Sequence, residues 1–243
     1  MIKIWAHRGA SAYAPENTLP AFEKAIELGA DGIELDVRLS RDGEVMVAHD
    51  DTIDRCSNGT GKVRKMTCEQ LRSYDYSYTF PEFHGVTMPT LREAFQLIAP
   101  TNLTVNVELK TGIFSDTGLE RKCVALAEEF GMTNRILYSS FHFSRLKKLH
   151  LIDREIPAAL LYEGWKSLVI RHLDHRSWMA LHPEFEDMYR KNAVDKIHRA
   201  GQRVHVWTVN EPEDVRRLAA LGVDAIITNK PDMVRQVLRE QKG

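Results

Sequence analysis

The chain has no apolar run near the roughly 18 residues that a membrane span requires. It also has no excess of charge: 33 Lys and Arg stand against 34 Asp and Glu in 243 residues, a formal net charge of -1. The first absence excludes a membrane-spanning helix. The second excludes the basic field that holds nucleic acid or an anionic membrane surface, so neither is expected as a partner, and any anion must be held by local groups. Cysteine is scarce and odd in number, with Cys56, Cys68 and Cys123 at none of the spacings of a zinc site or a disulfide framework. They read as reduced bystanders. The opening MIKIWAHRG carries one lysine and runs straight into a strand-like segment, without the apolar core of a secretion signal. The expected compartment is the cytoplasm. Internal repeats, low-complexity tracts and interdomain linkers are missing as well, and the length suits one large α/β domain spanning 1–243.

What is present alternates. The runs IKIWAH, GIELDV, LTVNVELK, ILYSSF, PAALLY, WMALHP, RVHVWTV and DAIIT are strand-like, and helix-like stretches separate most of them. In TLREAFQLIA the apolar Leu91, Ala94, Phe95 and Ile98 recur at helical spacing, and Thr90 with Glu93 makes a capping-box pattern. Asn210 with Glu213 repeats that signal before VRRLAALG. About eight strand-helix alternations in a chain near the usual ~250 residues predict a (β/α)8 TIM barrel. A doubly wound open sheet is the other arrangement of such elements. No GxGxxG follows the first strand, which weakens its dinucleotide-binding form.

Two segments depart from the alternation. ELDVRLSRDGEVMVAHD reads as an extra hairpin, because Asp42-Gly43 is a favoured two-residue turn between alternating runs. With that turn, Asp36 stands across from His49 and the two share a face. From about 51 to 88 the chain is mostly irregular, with NGTG and the aromatic cluster YDYSYTF, and reads as a lid or small insertion.

Alternate side chains of a barrel strand point inward, so GIELDV turns Glu34 and Asp36 inward while Ile33, Leu35 and Val37 pack outward against helices. LTVNVELK does the same with Glu108 and Lys110 inward and Val105, Val107 and Leu109 outward. Carboxylates gathered inside a barrel require neutralisation, since uncompensated buried charge costs several kcal/mol or more. Three of them without a cysteine form a hard, oxygen-rich set that favours one divalent cation, Mg²⁺ or Ca²⁺, over a thiolate-type zinc site. The plainer alternative makes Glu34, Asp36 and Glu108 internal salt-bridge partners of Arg8 and Lys110. Position argues against it, because both doublets sit near strand C-termini, where barrel enzymes keep their chemistry.

His7 ends the first strand beside the carboxylates, and His49 reaches them through the hairpin. Arg8 and Lys110 add two cationic donors. Metal and cations to hold phosphoryl oxygens, with one imidazole to take a proton and one to give it, suit hydrolysis of a phosphate ester. Gly9 then relieves crowding where the chain turns beside the site. His84, His142, His150, His172, His175, His198 and His205 read as structural, and His182, at another strand end, is undecided.

These residues resemble the glycerophosphodiester phosphodiesterase family over essentially the whole chain, through HRGASAYAPENTLPAF, DGIELDVRLSRDGEVMVAHD, DRCSNGTGKV, MPTLREAF, VELK, VHVWTVN and DAIITNKPD in that order. The resemblance implies a (β/α)8 barrel with Glu34, Asp36 and Glu108 as metal ligands, His7 and His49 as the acid-base pair, and Arg8 and Lys110 on the phosphate. It implies a small glycerophosphodiester substrate, cut to sn-glycerol 3-phosphate and an alcohol such as choline, ethanolamine or glycerol. Glu16 and Asn17 are placed behind Arg8, and Trp207 at the substrate as an apolar wall; a plain core aromatic is the alternative for Trp207. Cys56 stands where the family often has threonine or serine, which touches only a local hydrogen bond of the lid. Two other functions compete. A lysophospholipase D-type enzyme would need an apolar entrance, which YDYSYTF is able to supply, and a retired scaffold would bind phosphodiesters without cutting them.

Overall fold

The structure is a computed structural model that describes residues 1–110, 118–164 and 178–241. His172 and His175 lie outside the described residues. The strand-like runs become β1 (Lys3–His7), β2 (Gly32–Leu39), β4 (Thr104–Leu109), β5 (Ile136–Ser140), β6 (Ala158–Tyr162), β7 (Ala180–Pro183), β8 (Arg203–Val206) and β9 (Ala225–Thr228), with β3 (Val45–Val47) from the hairpin. They are ordered β1-β9-β8-β7-β6-β5-β4-β2, and β1 pairs in parallel with β2 as well, which closes eight parallel strands into the predicted barrel. Strand β3 lies outside the closure, antiparallel to β2.

Helices including α1 (Leu19–Glu27), α3 (Leu91–Ile98) and α4 (Leu119–Glu129) follow the strands. The outward residues Ile33, Leu35, Val37, Val105, Val107 and Leu109 are buried with Phe22, Leu91, Phe95 and Ile98 in one core between barrel and helices. Each such side chain stabilises the fold by about 1.5–3 kcal/mol. Inside the barrel Trp5, Leu137, Ala159, Ala180 and Ile227 form a separate cluster. The α3 capping box forms as expected: Glu93 N–H donates to Thr90 Oγ1 at 3.2 Å and Thr90 N–H to Glu93 Oε2 at 2.9 Å. The second box does not form. Pro212 opens that helix after an Glu211 cap, and Asn210 Oδ1 instead accepts from Asn229 N–H at 2.9 Å, tying the loop after β8 to the end of β9.

The hairpin corrects the expected register. Val37 pairs with Val47 and Leu39 with Val45, so Ala48, not His49, stands across from Asp36 and donates its N–H to the Asp36 carbonyl at 2.9 Å. The loop holds three residues rather than two. Gly43 N–H donates to the Ser40 carbonyl at 3.2 Å, and Gly43 adopts φ +86, the left-handed residue that closes a three-residue hairpin.

The 51–88 insertion is ordered around its own small core. Ile53, Val63, Leu71, Tyr76 and Met88 pack with Met46 and Ala48 beside β3, and α2 (Cys68–Arg72) starts on a Thr67–Gln70 capping box. Tyr76, from the aromatic cluster, is consumed in this core.

Candidate active site

Parallel register lays the inward side chains in rows. His7 is level with Glu34, Glu34 with Asn106, and Asp36 with Glu108. A cleft of about 280 Å³ opens on these strand ends, lined by His7, Arg8, Glu34, His49, Glu108, Lys110 and Trp207, together with Asn106, Phe141, Leu161, Glu163 and Ile227. Asp36 is fully buried behind this lining. The structure thus brings together every residue singled out in the sequence.

Local geometry explains the HRG triplet. Arg8 takes φ 56 and turns its N–H onto Glu34 Oε2 at 2.9 Å. Gly9 follows at φ +81, where a Cβ would stand 2.7 Å from the backbone of Ala21 in α1. The chain turns here only because position 9 has no side chain. Arg8 Nε then lies 3.3 Å from Asp36 Oδ2, while Lys110 Nζ lies 2.6 Å from Glu108 Oε1 and 3.3 Å from Asp36 Oδ1.

The two histidines have unlike partners. His7 Nδ1 is 2.8 Å from Asn229 Oδ1, an acceptor. His49 Nδ1 is 2.7 Å from the Asp50 carboxylate. Because His49 lies one residue beyond the position facing Asp36, its route to the cleft is a loop, and Arg38 pins that loop by donating Nε and Nη2 to the His49 carbonyl at 3.0 and 2.7 Å. Sequence reasoning missed Asn229, Asp50, Arg38 and the pocket-lining Asn106. The inward parity that selected Glu34 and Glu108 also selects Asn106.

Trp207 lines the cleft and also packs against the apolar cluster inside the barrel, its Nε1 donating to the His182 carbonyl at 2.8 Å and its ring meeting Phe141 edge-on at 5.6 Å. His182, undecided from sequence, is structural. It is fully buried, 3.0 Å from His205 Nδ1 and packed near Trp5.

Residues 7–233 match the model of the glycerophosphoryl diester phosphodiesterase family. The chain belongs to that family. It is an enzyme of that type, a hydrolase of glycerophosphodiesters. A glycerophosphodiester phosphodiesterase of Caldanaerobacter subterraneus subsp. tengcongensis is 38% identical over 244 residues, covering 98% of each chain. Another, of Bacillus altitudinis, is 36% identical over the whole of both chains, 100% of each. A solved phosphodiesterase of Oleispira antarctica, in complex with the product sn-glycerol-3-phosphate, matches with a TM-score of 0.86 at 29% identity, covering 98% of this chain and 96% of its own.

In this phosphodiesterase the carboxylates cannot all stay ionised unaided. Oxygens of Glu34, Asp36 and Glu108 lie within 4.8 Å of one another. Burial, then the charges of Asp36 and Glu108, push Glu34 well above the usual carboxylate range. Burial and Asp36 raise Glu108 to about 7. Burial acts on Asp36 in the same sense, but Lys110 and Arg8 outweigh it and hold Asp36 below its ordinary value. The set therefore keeps protons that a divalent cation would displace. Asp36 Oδ1 is buried without a hydrogen bond, as is Asn106 Oδ1. An all-oxygen cluster of three carboxylates, one of whose buried oxygens has an ion-pair contact to Lys110 but no hydrogen bond, fits a hard cation such as Mg²⁺ or Ca²⁺.

Proposed function

We propose that this enzyme hydrolyses water-soluble glycerophosphodiesters to sn-glycerol 3-phosphate and an alcohol, with His7 as general base, His49 as general acid, and one divalent cation held by Glu34, Asp36 and Glu108. The observation that carries the reading is one cleft lined by Glu34, Glu108, two imidazoles and two cationic side chains, with Asp36 clustered against the two glutamates just behind the lining. When bound, the cation supplies electrostatic stabilisation of the phosphoryl oxygens. Arg8 and Lys110 reach the same cleft and serve the phosphate as charged donors.

The histidine roles follow from their partners. An amide oxygen accepts a hydrogen bond but carries no charge, so Asn229 keeps the proton on His7 Nδ1 and leaves Nε2 free to take one. Burial holds both imidazoles below their ordinary range, His7 at about 4, but His49 has the Asp50 carboxylate working against that shift, so His49 is the better suited of the two to giving a proton to the departing alcohol. Trp207 and Phe141 supply an apolar wall. The apolar cluster YDYSYTF does not line the cleft, which favours a small substrate over an acylated one. The solved relative that holds sn-glycerol-3-phosphate supports the product assignment. Among the described residues no helix is long and apolar enough to cross a membrane. Cys56, Cys68 and Cys123 are all free thiols, which supports a reducing compartment such as the cytoplasm.

The test is release of glycerol 3-phosphate from glycerophosphocholine, glycerophosphoethanolamine and glycerophosphoglycerol, with and without chelator. Metal-dependent release is expected. Binding without release, or release only from lysophospholipid, would overturn the reading.

A further inference from the structure

Resting on the roles just given to His49 and Arg8, we propose that Arg55, on the insertion, is a positioning residue that couples these two groups across the cleft. Its guanidinium is shared between two carboxylates. Nε donates to Asp50 Oδ2 at 2.7 Å, and the two terminal nitrogens fork onto Glu16 at 2.9 and 2.6 Å. The other oxygen of Asp50 holds His49 Nδ1 at 2.7 Å. Glu16 Oε1 also accepts from Arg8 Nη1 at 2.9 Å. A continuous run of charge-assisted hydrogen bonds leads from His49 through Asp50, Arg55 and Glu16 to Arg8. Among the hydrogen bonds of the described residues, Arg55 is the side chain bonded to both Asp50 and Glu16.

The arrangement answers a mechanical need. His49 and Arg8 each stand on a loop just past a strand, and a proton donor or phosphate donor displaced by about 1 Å loses much of its effect. Packing is incomplete on the His49 side, where a cavity of about 30 Å³, lined by Glu16, His49, Asp50 and Cys56 among others, lies along the junction of barrel and insertion. The hydrogen bonds supply orientation there. Cys56 adds a weak donor, its Sγ 3.7 Å from Glu16 Oε1, so consecutive insertion residues grip one carboxylate. Lysine cannot replace Arg55, because a point charge cannot serve Asp50 and both Glu16 oxygens in one plane. The insertion is thus part of the active-site frame.

The experiment measures kcat and KM for glycerophosphocholine with the metal-loaded enzyme and its Arg55→Gln, Arg55→Lys, Arg55→Ala, Asp50→Asn and Glu16→Gln variants, singly and combined, each checked for folding by thermal melting. Arg55→Gln is expected to lower kcat about tenfold or more, the size that outer hydrogen-bond partners of a reacting site typically carry. Arg55→Lys should fail to restore it, and added guanidinium ion should partly rescue Arg55→Ala. The decisive readout is coupling. Asp50→Asn and Glu16→Gln should be non-additive while Arg55 is present and should multiply independently in the Arg55→Gln background. Independent effects with Arg55 present, or a kcat within about twofold of wild type for Arg55→Gln, would overturn the proposal. If that happened while His49→Ala remained inactive, the coupling alone would fall. Wild-type turnover by His49→Ala and Arg8→Ala would remove the catalytic reading beneath it, and the coupling with it.

Discussion

Asn17 holds Asp36 at two points: its Nδ2 donates to Asp36 Oδ2 at 2.8 Å, and its Oδ1 accepts the Asp36 backbone N–H at 3.2 Å. This clasp fixes the carboxylate that lies deepest in the acidic cluster. It also explains why Asn17 takes φ 57, a left-handed conformation that asparagine tolerates better than most residues. Asn17 orders the loop behind Arg8, donating its N–H to the Arg8 carbonyl at 2.9 Å, and it is also the partner that orients a proposed metal ligand. Asn17→Ala should therefore weaken Mg²⁺ or Ca²⁺ binding about 10–100-fold, the usual cost of losing such a partner. Asn17→Asp should be worse, since it puts a second charge against Asp36. Titration of metal into the chelated protein by calorimetry checks both, and unchanged affinity in Asn17→Ala would remove the orienting role.

The acidic cluster makes a prediction about pH. Glu108 has its value raised from 4.5 to about 7, and Glu34 is raised as well, so the folded metal-free protein binds more protons than the unfolded chain between those values. Its stability is then fully present below about 4.5 and falls as pH rises through about 7. Asp36, held low by Lys110 and Arg8, works in the opposite sense, and its contribution is lost only as acid protonates it. The melting temperature of chelated protein should decline from pH 5 to pH 7.5, and Glu108→Gln should flatten that decline. Adding the cation at pH 7.5 should reverse it. Metal binding at pH 6 should release more protons than at pH 8.5, measured by calorimetry in buffers of different ionisation enthalpy. Equal release at both would show that the carboxylates are not the proton reservoir.

Gly9 is the next test, because its role is steric and needs no assumption about chemistry. A Cβ there would meet the Ala21 backbone at 2.7 Å on a residue at φ +81. Gly9→Ala should destabilise the fold by about 2 kcal/mol or more, through strain at a left-handed position and through the clash. Because Arg8 sits at the same turn, KM should rise with the loss of stability. Urea denaturation and steady-state kinetics on the one variant give both numbers, and a wild-type transition midpoint would refute the steric account.

The barrel and four of the singled-out residues were legible because both follow from parity, while His7 and Arg8 were placed by the strand end and Trp207 by the family resemblance. Inward and outward residues alternate along a strand, so Glu34, Asp36, Glu108 and Lys110 could be placed without knowing the neighbours. Where parity stops, so did the reading. His49 was expected opposite Asp36 through a two-residue turn, and the left-handed Gly43 makes a three-residue loop that shifts the register by one. His49 still reaches the cleft, carried by a loop that Arg38 holds through two side-chain bonds to its carbonyl. Asn229, Asp50 and Arg55 were invisible for a related reason. Each contributes through a side chain whose partner is distant in sequence or set by an irregular loop, and no period in the chain announces such a pair.

The unlike partners of His7 and His49 bear on the nucleophile. A glycerophosphodiester carries a hydroxyl on glycerol C2 beside its own phosphate, and attack by that group gains the effective molarity of a positioned neighbour. His7, with Nδ1 committed to Asn229 and Nε2 free, is suited to take the proton from this hydroxyl as the new P–O bond forms. His49, backed by Asp50, is suited to protonate the alcohol as the old P–O bond breaks. On the path we propose, the product of this step would be a cyclic 1,2-phosphate, which water would open with the two imidazoles exchanging roles. Direct attack by water is the rival path, and it needs the same two histidines. A 2-deoxy analogue separates the two, because it keeps the phosphodiester and lacks the internal hydroxyl. Its hydrolysis should fall by orders of magnitude, and the cyclic phosphate should itself be a substrate; a rate near that of the natural compound would establish direct attack. His7→Ala and His49→Ala should be severely impaired on either path. Only His49→Ala should recover substantially on a substrate whose leaving alcohol has a low pKa, since such a group departs without a proton.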